Sequence, residues 1–166
     1  VSTAESRCFL RLRAGEEPVR LLNGSDLSGW TQVQGDAGMY VVVPEANGEP
    51  AHLAGTANGR LGMLATDASY SDFELEYEFQ VDDPLNSGVQ IRSFVNGSSD
   101  VEGYQVEIDP SSRAWSGGLY EQNGRGWLQD LSSNEPAREA FQADEWNHMR
   151  VLVEGARVRT WINGVP

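Results

Sequence analysis

An all-β fold, a sandwich of two antiparallel sheets, is what the sequence predicts, and three observations predict it. Phe73, Leu75, Tyr77, Phe79 and Val81 alternate with Glu74, Glu76, Glu78 and Gln80, the two-residue period of a strand with one buried face and one wet face. Short runs of this kind recur at spacings of roughly ten to fifteen residues, separated by Gly, Pro and Asn turn formers. A helical period is almost absent, and neither an internal repeat nor a second domain is visible.

The elements follow in order. Residues 1–17 read as an N-terminal extension and 18–166 as one domain. The segment from Leu21 to Trp30 is dense in turn formers and ends on an aromatic. A short strand is expected over 39–43, stopped by Pro44, then a loop over 45–62 that carries Gly48, Pro50, Gly55 and Asn58-Gly59. Another short strand is expected over 61–66. The alternating run over 73–81 is the clearest strand. After Asp82-Asp83-Pro84, a strand over 88–94 turns Val89 and Ile91 inward and Gln90 and Arg92 outward. A strand over 103–109, ended by Pro110, carries Tyr104, Val106 and Ile108 on one face and Gln105, Glu107 and Asp109 on the other. A glycine-rich link from Gly117 to Trp127 follows, with one or two helical turns over 135–141. Strands over 146–154 and 157–162 close the chain, with Met149, Val151 and Val153, then Val158, Thr160 and Ile162, on the inner faces.

Composition narrows the partners. The 166 residues suit a single domain with a core large enough to fold without disulfides. No apolar run approaches the ~18 residues of a membrane span, so membrane insertion is not expected. The net charge is −13, and all 12 basic residues are Arg. No basic face can be assembled, which argues against nucleic acid and against an anionic membrane surface. A neutral, polar partner fits this field best. Cys8 is alone, and His52 and His148 are the two histidines; these are expected to have surface or packing roles, and no metal site is assigned. Trp30, Trp146 and Trp161 are read as core or rim aromatics.

One group of residues could carry chemistry. If the strands over 88–94 and 103–109 are neighbours, Gln90 and Arg92 lie beside Gln105, Glu107 and Asp109 on the face away from the core. Two amides, a guanidinium and two carboxylates suit sugar hydroxyls, and an Arg between two carboxylates would hold both ionised. Trp115, Tyr120 and Trp127 offer stacking surfaces for sugar rings. The ordinary reading of such a row is a solvated sheet face. It is the better reading for Glu74, Glu76 and Glu78, which have no Arg among them. No Gly-x-Ser-x-Gly elbow, phosphate loop or dinucleotide fingerprint is present. Glu107-Ile108-Asp109 resembles the start of the Glu-x-Asp-x-x-Glu strand of sandwich-fold β-glucanases, but Pro110 interrupts it and Ser112 holds the third acid's place. Ordinary glucanase action, which uses two carboxylates about 5–5.5 Å apart when it retains configuration, is disfavoured.

Seven motifs occur in order: Leu22-Asn23-Gly24 to Leu27-Ser28-Gly29-Trp30, Asp72-Phe73-Glu74-Leu75, Asn86 to Arg92, Gly103 to Ile108, Gly117-Gly118-Leu119-Tyr120, Glu145-Trp146-Asn147 and Trp161-Ile162-Asn163-Gly164. Together they resemble the 3-keto-disaccharide hydrolase domain family over roughly residues 18 to 166. The resemblance implies a concanavalin A-like jelly roll, an extracytoplasmic setting and action on glycosides already oxidised at C3. It also implies further strands after the Asn163-Gly164 turn, so the sandwich is expected to lack its last strands. A C3 ketone acidifies the proton on C2, and the chemistry then needs a base, an enolate stabiliser and a leaving-group acid. On that reading Glu107 is the base, Arg92 stabilises the enolate, and Asp109 is a second acid–base group or an orienter. Asn86, Gln90, Tyr104, Gln105, Trp115 and Tyr120 would hold the saccharide. No cofactor is required, although the acids would permit a divalent metal in place of Arg92. Many relatives carry His and Thr where this chain has Trp115 and Ser116. The runner-up is a non-catalytic, lectin-like module, and a structural or adhesive domain comes third. The sequence is silent on oligomeric state.

Overall fold

The structure, a computed structural model, describes residues 11–13, 17–56, 61–82, 85–97 and 100–166. Its strands are β1 (Arg11–Arg13), β2 (Pro18–Arg20), β3 (Trp30–Gln34), β4 (Tyr40–Val43), β5 (His52–Gly55), β6 (Met63–Thr66) and β7 (Phe73–Phe79). After these come β8 (Ser87–Val95), β9 (Val101–Ile108), β10 (Leu119–Gln122), β11 (Gly126–Gln129), β12 (Asn147–Glu154) and β13 (Arg157–Ile162). A single helix, α1 (Glu135–Ala140), precedes β12 among the described residues. One antiparallel sheet runs β13-β12-β7-β1-β2 and a second runs β11-β10-β9-β8; β3 pairs with β6 and β4 with β5 in smaller ribbons. This is the all-β jelly-roll sandwich expected.

Two strands show why these residues fold this way. Along β7, Phe73, Leu75, Tyr77 and Phe79 are buried while the glutamates between them are not. Its neighbour β12 sets Val153, Val151 and Met149 opposite Phe73, Leu75 and Tyr77, so two apolar rows fall in register on one face. Val151, Val153 and Met149 are fully enclosed. From the other sheet Ile91 of β8 and Val106 and Ile108 of β9 close on them, and Leu131 and Ala137 fill one end. Each such side chain contributes about 1.5–3 kcal/mol by leaving water. Thr160 Oγ1 on β13 donates to the Gly117 carbonyl at 2.7 Å, tying the first sheet to the link that covers the second.

Three expectations need amendment. The loop expected over 45–62 contains β5, in which His52 is buried, the packing alternative of its expected roles. The glycine-rich link after Gly117 is the β10–β11 hairpin, in which Tyr120 pairs with Trp127. Of the segment read as an extension, Arg11–Arg13 lies in the sheet between β7 and β2, while residues 1–10 and 14–16 fall outside the described residues.

Candidate active site

Glu107 decides the character of the site. It projects from β9 on the face away from the core, yet only 4% of it is exposed; Asp109, just past the strand, is 2% exposed. A solvated sheet face would leave both wet. The chain after β9 folds back over them instead. The Glu107 N–H donates to the Gly118 carbonyl at 2.9 Å, and the Gly117 N–H donates to the Glu107 carbonyl at 2.8 Å. The β10–β11 hairpin then extends the sheet beside β9, with Tyr120 opposite Gln105.

The amides around Glu107 all donate toward it. Ser93 Oγ donates to Gln90 Oε1 at 2.8 Å, and Gln90 Nε2 to Gln105 Oε1 at 2.9 Å. Gln105 Nε2 donates to Glu107 Oε2 at 2.9 Å, and Asn86 Nδ2 to Glu107 Oε1. Such a row polarises itself, each bond strengthening the next, and its terminus is an acceptor-only carboxylate. Burial nonetheless raises the Glu107 pKa above the ordinary 4.5; the bonds from Asn86 and Gln105 offset part of that, Asp109 nearby adds to it, and Arg113 opposes it. The result is a carboxylate fixed in position and made more basic.

Asp109 behaves in the opposite way. Burial works to raise its pKa, but hydrogen bonds from Ser111 and Arg113, with the guanidinium charge, outweigh burial and hold it below 3.8. Its Oδ1 accepts from the Ser111 N–H at 3.2 Å; its Oδ2 accepts from Arg113 Nε at 3.0 Å and from the Trp115 N–H at 3.4 Å. The buried Ser116 hydroxyl accepts from the Asp109 N–H at 2.9 Å. The Arg113 guanidinium lies 4.8 Å from the Trp115 ring centre, and Trp115 meets Trp127 edge-on at 5.0 Å. Arg92 was expected to hold both acids ionised; Arg113 stands in that place, and its charge lowers both pKa values but outweighs burial at Asp109 alone.

A cavity of about 460 Å³ opens here, and Asn86, Gln105, Glu107, Asp109 and Tyr120 line it together. Four other expected residues do not join them. Arg92 has φ +48°, at the register shift between Ile91 and Phe94, and its side chain turns to Asp72 at 3.4 Å. The bulge re-aims it away from Glu107. Gln90 stands one bond behind, acting through Gln105. Tyr104 and Trp115 pack against the core cluster. Arg113, Gln122 and Trp127 also line the cavity. Trp127 belonged to the aromatic set; Arg113 and Gln122 were missed. The signal for Arg113 was Asp109-Pro110-Ser111, an Asx-type turn that brings the residue four on back to the aspartate. Among the described residues no three His, Cys, Asp or Glu side chains gather as a metal-ligand set.

Gly88 is required by this arrangement. It faces Glu107 across the β8–β9 ladder, and a Cβ there would lie 2.5 Å from Gln105 Cγ and 2.8 Å from the Val106 carbonyl oxygen. Gly88→Ala is therefore expected to push the Gln105 amide off Glu107 and, if Glu107 acts as a catalytic base, to lower kcat on the order of 10-fold, since small displacements of a reacting group are costly. Loss of that donor also raises the Glu107 pKa, so the acid limb of kcat/KM moves to higher pH. An unmoved limb would show that Gln105 does not tune Glu107.

No curated protein is similar enough to match the chain. A family does match, over residues 17–166, and its description concerns 3-keto-glucosides. With that span covering nearly the whole sandwich and its cavity, the chain belongs to the 3-keto-alpha-glucoside-1,2-lyase-like domain family.

Proposed function

We propose that the protein cleaves 3-keto-glycosides by elimination and hydration, with Glu107 as the base. The observation that carries this reading is that one of the two buried carboxylates, Glu107, is made more basic by burial and held by amide donors at the wall of a cavity that also bears aromatic and amide groups. Glu107 takes the C2 proton, and the C2–H electron pair forms the enolate of the C3 ketone. The enolate collapses to the ketone, a C1–C2 double bond forms, and the C1–O bond breaks. The departing oxygen takes a proton from water. The hydroxide left by that water adds to C1, and Glu107, its proton exchangeable with solvent, gives a proton back to C2, so the base is restored and the net reaction is hydrolysis. Asn86 and Gln105 orient the base; Asp109, already committed to Arg113 and the loop, is an orienter rather than a second acid. Tyr120 and Trp127 offer ring faces, and Gln122 a further amide, to the sugar.

The test is incubation of the protein with a 3-keto-glucoside and with its unoxidised parent in deuterated water. Cleavage of the keto sugar alone, with deuterium at C2, is expected. Glu107 must be ionised to act, so kcat/KM should fall as pH drops through its raised pKa, placing the acid midpoint above 4.5. Saturable binding of both sugars without exchange or cleavage would replace this reading with a lectin-like one.

A further inference from the structure

We propose that Arg113 is the group that takes up negative charge on the C3 oxygen, the role that the sequence points to Arg92 for. The inference rests on the elimination reading above and adds the electrophile that reading lacks. Three observations favour Arg113. It lines the same cavity as Glu107, and its charge acts on Glu107, whereas Arg92 is turned to Asp72. It is held from two sides, by Asp109 on its Nε and by the ring of Trp115 at 4.8 Å. Among the described residues no hydrogen bond occupies its two terminal nitrogens, and its side chain is 48% exposed, so they remain for a ligand.

The charge balance agrees. With Glu107 and Asp109 ionised and Arg113 protonated, the site carries one net negative charge, which disfavours an anionic substrate. When Glu107 takes the C2 proton, that charge moves to the substrate oxygen and the total is unchanged. Arg113 therefore meets a charge that shifts during the reaction, and a preorganised donor acts most strongly there because it needs no reorganisation. Asp109 keeps it aimed, and the Arg113 carbonyl is fixed by Arg138 Nε at 3.0 Å.

Arg113→Met retains much of the stem that covers Trp115, and Arg113→Lys retains the charge without the fork. Deuterium exchange at C2 of a 3-keto-glucoside, kcat, KM and the unfolding midpoint would be measured for both and for the unchanged protein. For Arg113→Met we expect kcat and exchange to fall about 100-fold, the loss typical of one oxyanion donor, with KM changed only a few-fold. The acid limb of kcat/KM should also move to higher pH, because the cation no longer opposes protonation of Glu107. Arg113→Lys should recover part of the rate. Exchange by Arg113→Met at the unchanged rate would overturn the role of Arg113 while leaving Glu107 as the base. A loss confined to KM, or one that Arg113→Lys shares in full at an unaltered unfolding midpoint, would overturn it too. An unchanged protein that exchanges nothing would overturn the elimination reading itself, and this proposal with it.

Discussion

Replacing Glu107 with Gln is expected to lower turnover of a 3-keto-glucoside on the order of 10³-fold, within the range that general bases contribute. The fold should survive. The carboxamide has the same shape, and its oxygen still accepts from Asn86. Its nitrogen faces Gln105, whose amide must rotate to present oxygen and in doing so gives up the bond from Gln90. Under the proposed mechanism the variant loses the lone pair that takes the C2 proton, and no neighbouring acid replaces it, since both Asp109 oxygens are already engaged.

Stability separates this role from a structural one. Burial makes Glu107 harder to ionise in the folded chain than in the unfolded chain. Its favourable contribution is complete below the unfolded pKa of about 4.5 and is lost as pH rises through the raised folded value. The protein therefore carries a penalty at neutral pH that Glu107→Gln removes. Urea midpoints should favour the variant, or at least equal the parent, near pH 7, and the difference should shift toward the parent near pH 4. A variant that is inactive because it is less stable at both pH values would mean that Glu107 holds the sheet together and does nothing else.

The strands that build the core were legible in the sequence because their alternation is the physical cause of their burial. Phe73 to Phe79 and Met149 to Val153 bury one face each, and any register but the native one would expose it. The outward row of Gln105, Glu107 and Asp109 was legible for the same reason: period two assigns them one face. That Glu107 and Asp109 are buried was not legible, because it depends on β10 and β11, whose strand character is hidden by Gly117 and Gly118 before them and Gly124 and Gly126 at their turn. Arg92 was misplaced by a bulge. A trace of that bulge stands in the sequence at Gly103, a glycine inside a strand, where φ is +141° and a Cβ would strike Ser93. Counting by twos through position 91 carries Arg92 to the Glu107 side, and the bulge breaks the count. Arg113 lies in no periodic segment, so periodicity could not find it; only the turn chemistry of Asp109 to Ser111 could.

Asp109→Ala is expected to cost about 2–4 kcal/mol of stability and to remove activity together with it. The side chain accepts from two backbone N–H groups and from Arg113, and deleting it leaves the Ser111 and Trp115 amides without their acceptor beside a vacated buried site. The full penalty for stranding a buried charge does not apply, because Arg113 is half exposed and water can take up its Nε. Asp109→Asn separates the two consequences. It keeps an oxygen for the Ser111 N–H and nearly the same volume, so the cost should fall to about 1 kcal/mol. It loses the charge that aims the guanidinium, so turnover should still drop by about the factor expected for Arg113→Met. The pH dependence has a definite sign. A carboxyl held below 3.8 in the folded state contributes stability that is complete above the unfolded pKa of about 3.8 and is lost as pH falls through the lowered folded value. The gap in urea midpoint between the parent and Asp109→Asn should therefore be constant near neutrality and close below about pH 4. If Asp109→Asn turned over substrate as fast as the parent while Asp109→Ala unfolded, Asp109 would be a loop anchor alone, and the aim of Arg113 would owe nothing to it. If instead both variants lost turnover while Asp109→Asn kept its midpoint, the ion pair would be acting on the chemistry through the direction in which it holds the arginine.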